Sequence, residues 1–271
     1  MGWLMVARSA DRLGRFYAHT PLVLAHRGAS HDAPENTIAA FLLAREQGAD
    51  GVELDTMLSA DGVPVVIHDF TLDKTTSGNG YVRDFSLKTL KELDAGSHYD
   101  HQFKGETIPT LEEALDACGT EMVINVELKA QGWRDDGLPA AVANVLHRHG
   151  NKKIIVSSFN PFALRRFHTL MPLMPLGYLY APDDTPLAPL LKLMMQVVPH
   201  DARHPDQRLV TPKFMAWARE RRLRVHVWTV DAPKRILELR DLGVDAIITN
   251  RPALALETLG RVSAGKKSSA P

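Results

Sequence analysis

An α/β fold of the (β/α)8 TIM-barrel class is predicted by two patterns and a length. Short runs rich in β-branched and aliphatic residues alternate with longer amphipathic ones, the arrangement of βα units around a parallel sheet. A single barrel commonly runs about 250 residues, close to the 271 of this chain. The rival open, doubly wound sheet normally carries a glycine-rich first turn, and the lone Gly28 does not supply one.

The strand runs are 22–26, 50–55, 122–127, 153–157, 174–179, 196–200, 223–229 and 245–249, which makes eight once 56–68 is set aside as a hairpin excursion after the second. Asp61-Gly62 marks a two-residue turn in that excursion, and pairing Ala60 with Val63 across it would set Asp55 opposite His68. Helical periodicity covers 37–47 with Thr37 as N-cap, 110–118 with Thr110 capping ahead of Glu112 and Glu113, 138–149, 161–170, 212–222 and 233–242. Phe70 to Pro109 is too long for a barrel loop and reads as a small lid-like insertion. The expected organisation is an amphipathic segment over 1–20, one barrel domain over 21–260 with its insertion at about 70–109, and a flexible tail over 261–271.

Thirty-two acidic residues balance 32 basic ones, so no field draws the chain to nucleic acid, and 45% hydrophobic residues suit an ordinary globular core. The single cysteine, Cys118, forms no internal disulfide and reads as a small core residue on a helix. No apolar run approaches the ~20 residues of a membrane span. The first twenty residues lack the unbroken apolar stretch of a cleavable signal, so a cytoplasmic protein is expected; their amphipathic pattern leaves peripheral membrane contact open without requiring it.

The chemistry gathers where barrel strands end. Residues two apart on a strand share a face, so Glu53 and Asp55 present two carboxylates together, costly unless a cation or protons neutralise them. Glu127 and Lys129 repeat the arrangement in Asn125-Val126-Glu127-Leu128-Lys129. Three hard oxygen donors, Glu53, Asp55 and Glu127, suit Mg²⁺ or Ca²⁺ better than zinc; the alternative is a metal-free network of Glu127-Lys129 and Arg27-Asp55 salt bridges. A cation with Arg27 and Lys129 around one cavity is a receptor for phosphate. His26, at the end of the first strand, and His68 then flank the phosphoryl group as an acid/base pair. Trp228, at the end of the 223–229 run, opens toward substrate. His98, His101, His147, His149, His168 and His226 read as loop or helix residues without such partners, and His200 and His204 as borderline.

Taken together, His26-Arg27-Gly28, Ala33-Pro34-Glu35-Asn36-Thr37, Gly51-Val52-Glu53-Leu54-Asp55, Asp61 to Asp69, Pro109-Thr110-Leu111-Glu112-Glu113, Asn125 to Lys129 and Val227-Trp228-Thr229-Val230 resemble the glycerophosphodiester phosphodiesterases, over residues 22 to about 252. The resemblance implies a metal-dependent barrel hydrolase that splits glycerophosphodiesters into glycerol 3-phosphate and an alcohol. It marks Glu53, Asp55 and Glu127 as metal ligands, His26 and His68 as the acid/base pair, Arg27 and Lys129 as phosphate holders and Trp228 as a wall of the substrate site. The chain departs from the family pattern at Asp231, where Asn is frequent, and at Asn250, where Asp is frequent. The expected partner is a small-molecule diester such as glycerophosphocholine. Two other expectations stand beside it: lysophospholipase D-type cleavage of lysophospholipids, and a non-catalytic phosphate- or lipid-binding barrel.

Overall fold

A computed structural model describes residues 13–182 and 198–261. Most of the amphipathic segment proposed at 1–20, the stretch 183–197 and the tail from 262 lie outside the described residues. Among those described, nine strands form one sheet: β1 Leu22–His26, β2 Gly51–Leu58, β3 Pro64–Val66, β4 Val123–Leu128, β5 Ile154–Ser158, β6 Leu176–Tyr180, β7 Ala202–Pro205, β8 Arg224–Val227 and β9 Ala246–Thr249. All but β3 run parallel, in the order β1-β9-β8-β7-β6-β5-β4-β2, and β1 pairs with β2 through Leu24↔Gly51 to His26↔Glu53, closing the (β/α)8 barrel.

Alternation along each strand sorts side chains to two cores. Outward-facing Val52, Leu54, Val126 and Val156 pack beneath α1 Ile38–Glu46, α3 Leu111–Cys118, α4 Leu138–Arg148 and α5 Pro161–Leu170, with Phe41, Leu115, Val142 and Phe167 fully buried. Val23, Val225 and Ile247 do the same under α6 Pro212–Glu220, α7 Pro233–Leu242 and α8 Pro252–Thr258. Each such side chain contributes about 1.5–3 kcal/mol on leaving water. Inward-facing Leu24, Val123, Ile155, Ala202, Ala246 and Ile248 fill the lower barrel, and Leu13 and Phe16, the N-cap and the last residue of a single 3₁₀ turn at Gly14–Phe16, plug its floor. The upper interior is left to polar residues.

The helix starts follow their capping chemistry. Thr37 caps α1, Asn160 caps α5, and Thr110 with Glu113 forms a complete capping box on α3. Cys118 is buried at the end of α3. The short helices α2 Leu87–Lys91, within the insertion, and α8 carry no sequence expectation; at five and seven residues they are too short to show a period.

Three expectations need correction. The strand expected at 196–200, of which 196 and 197 lie outside the described residues, is not formed at 198–200; the strand is β7 at 202–205, polar because His204 faces the barrel interior. The hairpin loop holds three residues, not two: Ser59 N donates to Val63 O, Gly62 adopts φ +79°, and the register Thr56↔Val66 sets Asp55 against Ile67 rather than His68. His226 is no loop or helix residue but a buried member of β8, its ring 4.5 Å from that of His204 and its Nε2 bonded to the Tyr17 hydroxyl. The insertion at 70–109 has a core of its own. Leu72, Val82, Leu90, Ala95 and Ile108 form their own core against Met57, Val65 and Ile67 of the hairpin. Among the described residues, no helix is long and apolar enough to cross a membrane.

Candidate active site

Parallel register carries the acidic residues to one level. Glu53 aligns with His26 on one side and Asn125 on the other, and Asp55 aligns with Glu127. The ligand oxygens of Glu53, Asp55 and Glu127 all lie within 4.8 Å of one another, and all three residues are buried. Two like charges about 4 Å apart repel by roughly 4 kcal/mol at the effective dielectric of a protein, so the cluster calls for compensation. Arg27 and Lys129 supply part of it. Arg27 Nε is 3.3 Å from Asp55 Oδ2, and Lys129 Nζ is 3.7 Å from Asp55 Oδ1 and 3.5 Å from Glu127 Oε1. Arg27 is shared, however, because its Nη1 donates to Glu35 at 2.8 Å. Four carboxylates thus face two cations, a deficit of two positive charges.

Protonation follows that imbalance. Burial, then the charges of Asp55 and Glu127, push the Glu53 carboxyl well above its ordinary range. Burial and Asp55 raise Glu127 to about 7. Burial acts upward on Asp55 too, but Arg27 and then Lys129 overcome it and hold this carboxylate below its usual value. A buried, all-oxygen donor set with two charges uncompensated fits a hard divalent cation. The salt bridges of the metal-free alternative are both present, and they leave that deficit standing.

His26 ends β1 with Nδ1 2.7 Å from Asn250 Oδ1 and Nε2 3.9 Å from Glu53 Oε2. Burial, then Arg27, lowers its pKa to about 4. His68 follows β3; its Nδ1 lies 2.6 Å from Asp69 Oδ1, and it lines a cleft with Glu35, Asn36, Thr75 and Thr76, between the barrel rim and the insertion. Burial lowers its pKa against the pull of Asp55. Trp228 lies just beyond β8. Its indole N–H donates to His204 O at 2.8 Å, and its ring meets Phe159 edge-on at 5.5 Å.

Several site residues were given no role from sequence. Asn36 Nδ2 donates to Asp55 at 2.9 Å, Glu35 engages Arg27, Asp69 holds His68, and Asn250 with Asp231 holds His26. Glu35 and Asn36 belong to Ala33-Pro34-Glu35-Asn36-Thr37, Asp69 adjoins His68, and Asn250 follows the last barrel strand. Those positions were the available signals.

Comparison with known proteins agrees with this geometry. The model of the glycerophosphoryl diester phosphodiesterase family matches residues 26–254. A glycerophosphodiester phosphodiesterase of Caldanaerobacter subterraneus is 37% identical over 233 residues, spanning 85% of this chain and 94% of that protein. Among solved structures, an Oleispira antarctica phosphodiesterase in complex with the product sn-glycerol-3-phosphate is 34% identical with a TM-score of 0.79, covering 89% of this chain and 97% of that one. The Agrobacterium tumefaciens glycerophosphodiester phosphodiesterase is 30% identical with a TM-score of 0.74, covering 88% and 99%. With the barrel, the carboxylate cluster and these matches in agreement, the chain belongs to the glycerophosphoryl diester phosphodiesterase family and is a phosphoric diester hydrolase.

Proposed function

We propose that this enzyme hydrolyses soluble glycerophosphodiesters such as glycerophosphocholine to glycerol 3-phosphate and an alcohol, with residues 21–260 as the catalytic unit. The observation that carries this reading is the trio of buried carboxylates within 4.8 Å at the strand ends, with His26 Nε2 3.9 Å from Glu53. Glu53, Asp55 and Glu127 would hold Mg²⁺ or Ca²⁺, which when bound supplies positive charge to the phosphoryl oxygens. Arg27 offers a fork and Lys129 a point charge to the same group. Asp55 braces both cations, so they stay aimed at one place.

His26 and His68 exchange protons with the nucleophile and the leaving oxygen. Asp69 orients His68 through Nδ1, leaving Nε2 free for that exchange. Trp228 forms a wall for the glycerol or alcohol portion. The solved relative from Oleispira antarctica, which holds sn-glycerol-3-phosphate, supports this choice of product.

The decisive test is release of glycerol 3-phosphate from glycerophosphocholine by metal-stripped protein, with and without added Mg²⁺ or Ca²⁺. Release that appears only with the ion is expected, while circular dichroism stays unchanged on stripping. Equal release in chelator would overturn the metal assignment.

A further inference from the structure

Which imidazole nitrogen of His26 carries the proton follows from a chain of partners that ends well outside the carboxylate cluster. Asp231 lies beyond β8, in the turn ahead of α7. Its Oδ1 accepts from Asn250 N at 2.8 Å and from Thr249 Oγ1 at 2.9 Å, and its Oδ2 accepts from Asn250 Nδ2 at 2.7 Å. With the Asn250 N–H and the Thr249 hydroxyl donating to Oδ1 and Nδ2 donating to Oδ2, the amide NH₂ of Asn250 faces Asp231 and its carbonyl faces the other way. That carbonyl Oδ1 points at His26 Nδ1, 2.7 Å distant, and also accepts from Ser30 Oγ at 3.0 Å. An acceptor at Nδ1 requires Nδ1–H, and the lone pair of the neutral ring then sits on Nε2, which faces Glu53.

From this geometry we infer that Asp231 and Asn250 are positioning residues, and that their orientation of one amide fixes the tautomer in which His26 exchanges protons through Nε2. The inference rests on the acid/base reading of His26. Neither residue needs to touch substrate. The unit needs one acceptor toward His26 and one donor–acceptor pair behind it. The reciprocal exchange Asp231→Asn with Asn250→Asp preserves both: the carboxylate introduced at position 250 accepts from His26 Nδ1–H, and the amide introduced at position 231 donates to that carboxylate.

The experiment combines steady-state kinetics with ¹⁵N NMR of the imidazoles, using glycerophosphocholine as substrate and saturating Mg²⁺. His26→Ala measures the acid/base role itself. Asn250→Leu removes the acceptor at similar volume and should lower kcat by about 10²-fold, the lower end of what a positioned acid/base group contributes, with KM within a few-fold. Its His26 signals should leave the Nδ1–H pattern. The double exchange should return kcat to within roughly tenfold of wild type and restore that pattern. An inactive His26→Ala beside a fully active Asn250→Leu would overturn the positioning role alone. A fully active His26→Ala would remove the acid/base reading and this inference with it. Should Asn250→Leu not fold, the wild-type spectrum still decides, because a His26 protonated on Nε2 and bare at Nδ1 contradicts the inference directly.

Discussion

At the residue scale, the site is a set of charged groups each held by a named neighbour. Asp55 shows the principle: it bonds Asn36, faces Arg27 and Lys129, and therefore stays ionised at full burial, while Glu53 and Glu127 on either side are pushed toward protonation. His68 is the group whose role can be isolated most cleanly, because its hydrogen bond is to Asp69, which is not one of the three carboxylates. His68→Ala should lose at least roughly 10²-fold in kcat, with Mg²⁺ affinity by calorimetry and the thermal transition both near wild type. An unaffected rate would remove His68 from the mechanism.

Elements place those residues, and two glycines of β2 and its hairpin separate steric from conformational demands. Gly51 opens β2 where the strands crowd: an added Cβ would stand 2.0 Å from Val123 O and 2.8 Å from Leu24 Cδ2. Gly62 sits in open space but at φ +79°. Gly62→Ala should therefore cost about 1 kcal/mol, the strain of a left-handed residue alone. Gly51→Ala should cost roughly 3 kcal/mol or more, because backbone must move. It should also depress activity, since Glu53 and Asp55 ride on the same strand. Urea denaturation with parallel assays measures both, and equal costs would contradict the packing argument. The hairpin repeats the lesson of register: one more loop residue than the Asp61-Gly62 signal implies shifts every pairing by one.

For the whole molecule, closure of the barrel brings distant segments to a single carboxylate at its lower end. Asp50 accepts from Val23 N at 2.7 Å, from both terminal nitrogens of Arg261 at 2.8 and 2.6 Å, and from His19 Nε2 at 2.8 Å. Burial acts upward on its pKa, but Arg261 and the Val23 amide prevail and hold it below the ordinary carboxylate value. A folded pKa below the unfolded one, about 3.9, gives stability that is fully present above roughly pH 5 and fades as pH falls through 3.9 toward the lower folded value. Asp50→Asn should flatten that acid limb and converge on wild type at the lowest pH. Unfolding free energies between about pH 7 and 2 would show it, and parallel curves would refute the assignment.

Periodicity and strand ends were enough to read most of the barrel and the kinds of group in its mouth, because both are local properties of the chain. The run 22–26 is the observed β1, helices at 161–170 and 233–242 match to the residue, and Glu53 and Asp55 share a face as their i, i+2 spacing demands, with Glu127 brought beside them by the register of β4 on β2. The strand at 202–205 escaped notice because inward polar residues erase the apolar signature on which strand recognition depends. The Arg27–Asp55 and Glu127–Lys129 pairs were legible, but the partners of His26 and Asp50 were not. Asn250 meets His26 across 224 positions, and Arg261 meets Asp50 across 211. By itself the sequence determined the fold class and the chemistry of its rim, since side-chain period and residue type are written locally. Tertiary structure alone decided which cation meets which carboxylate and which side chain His26 faces, since those depend on distances between segments that only barrel closure brings together.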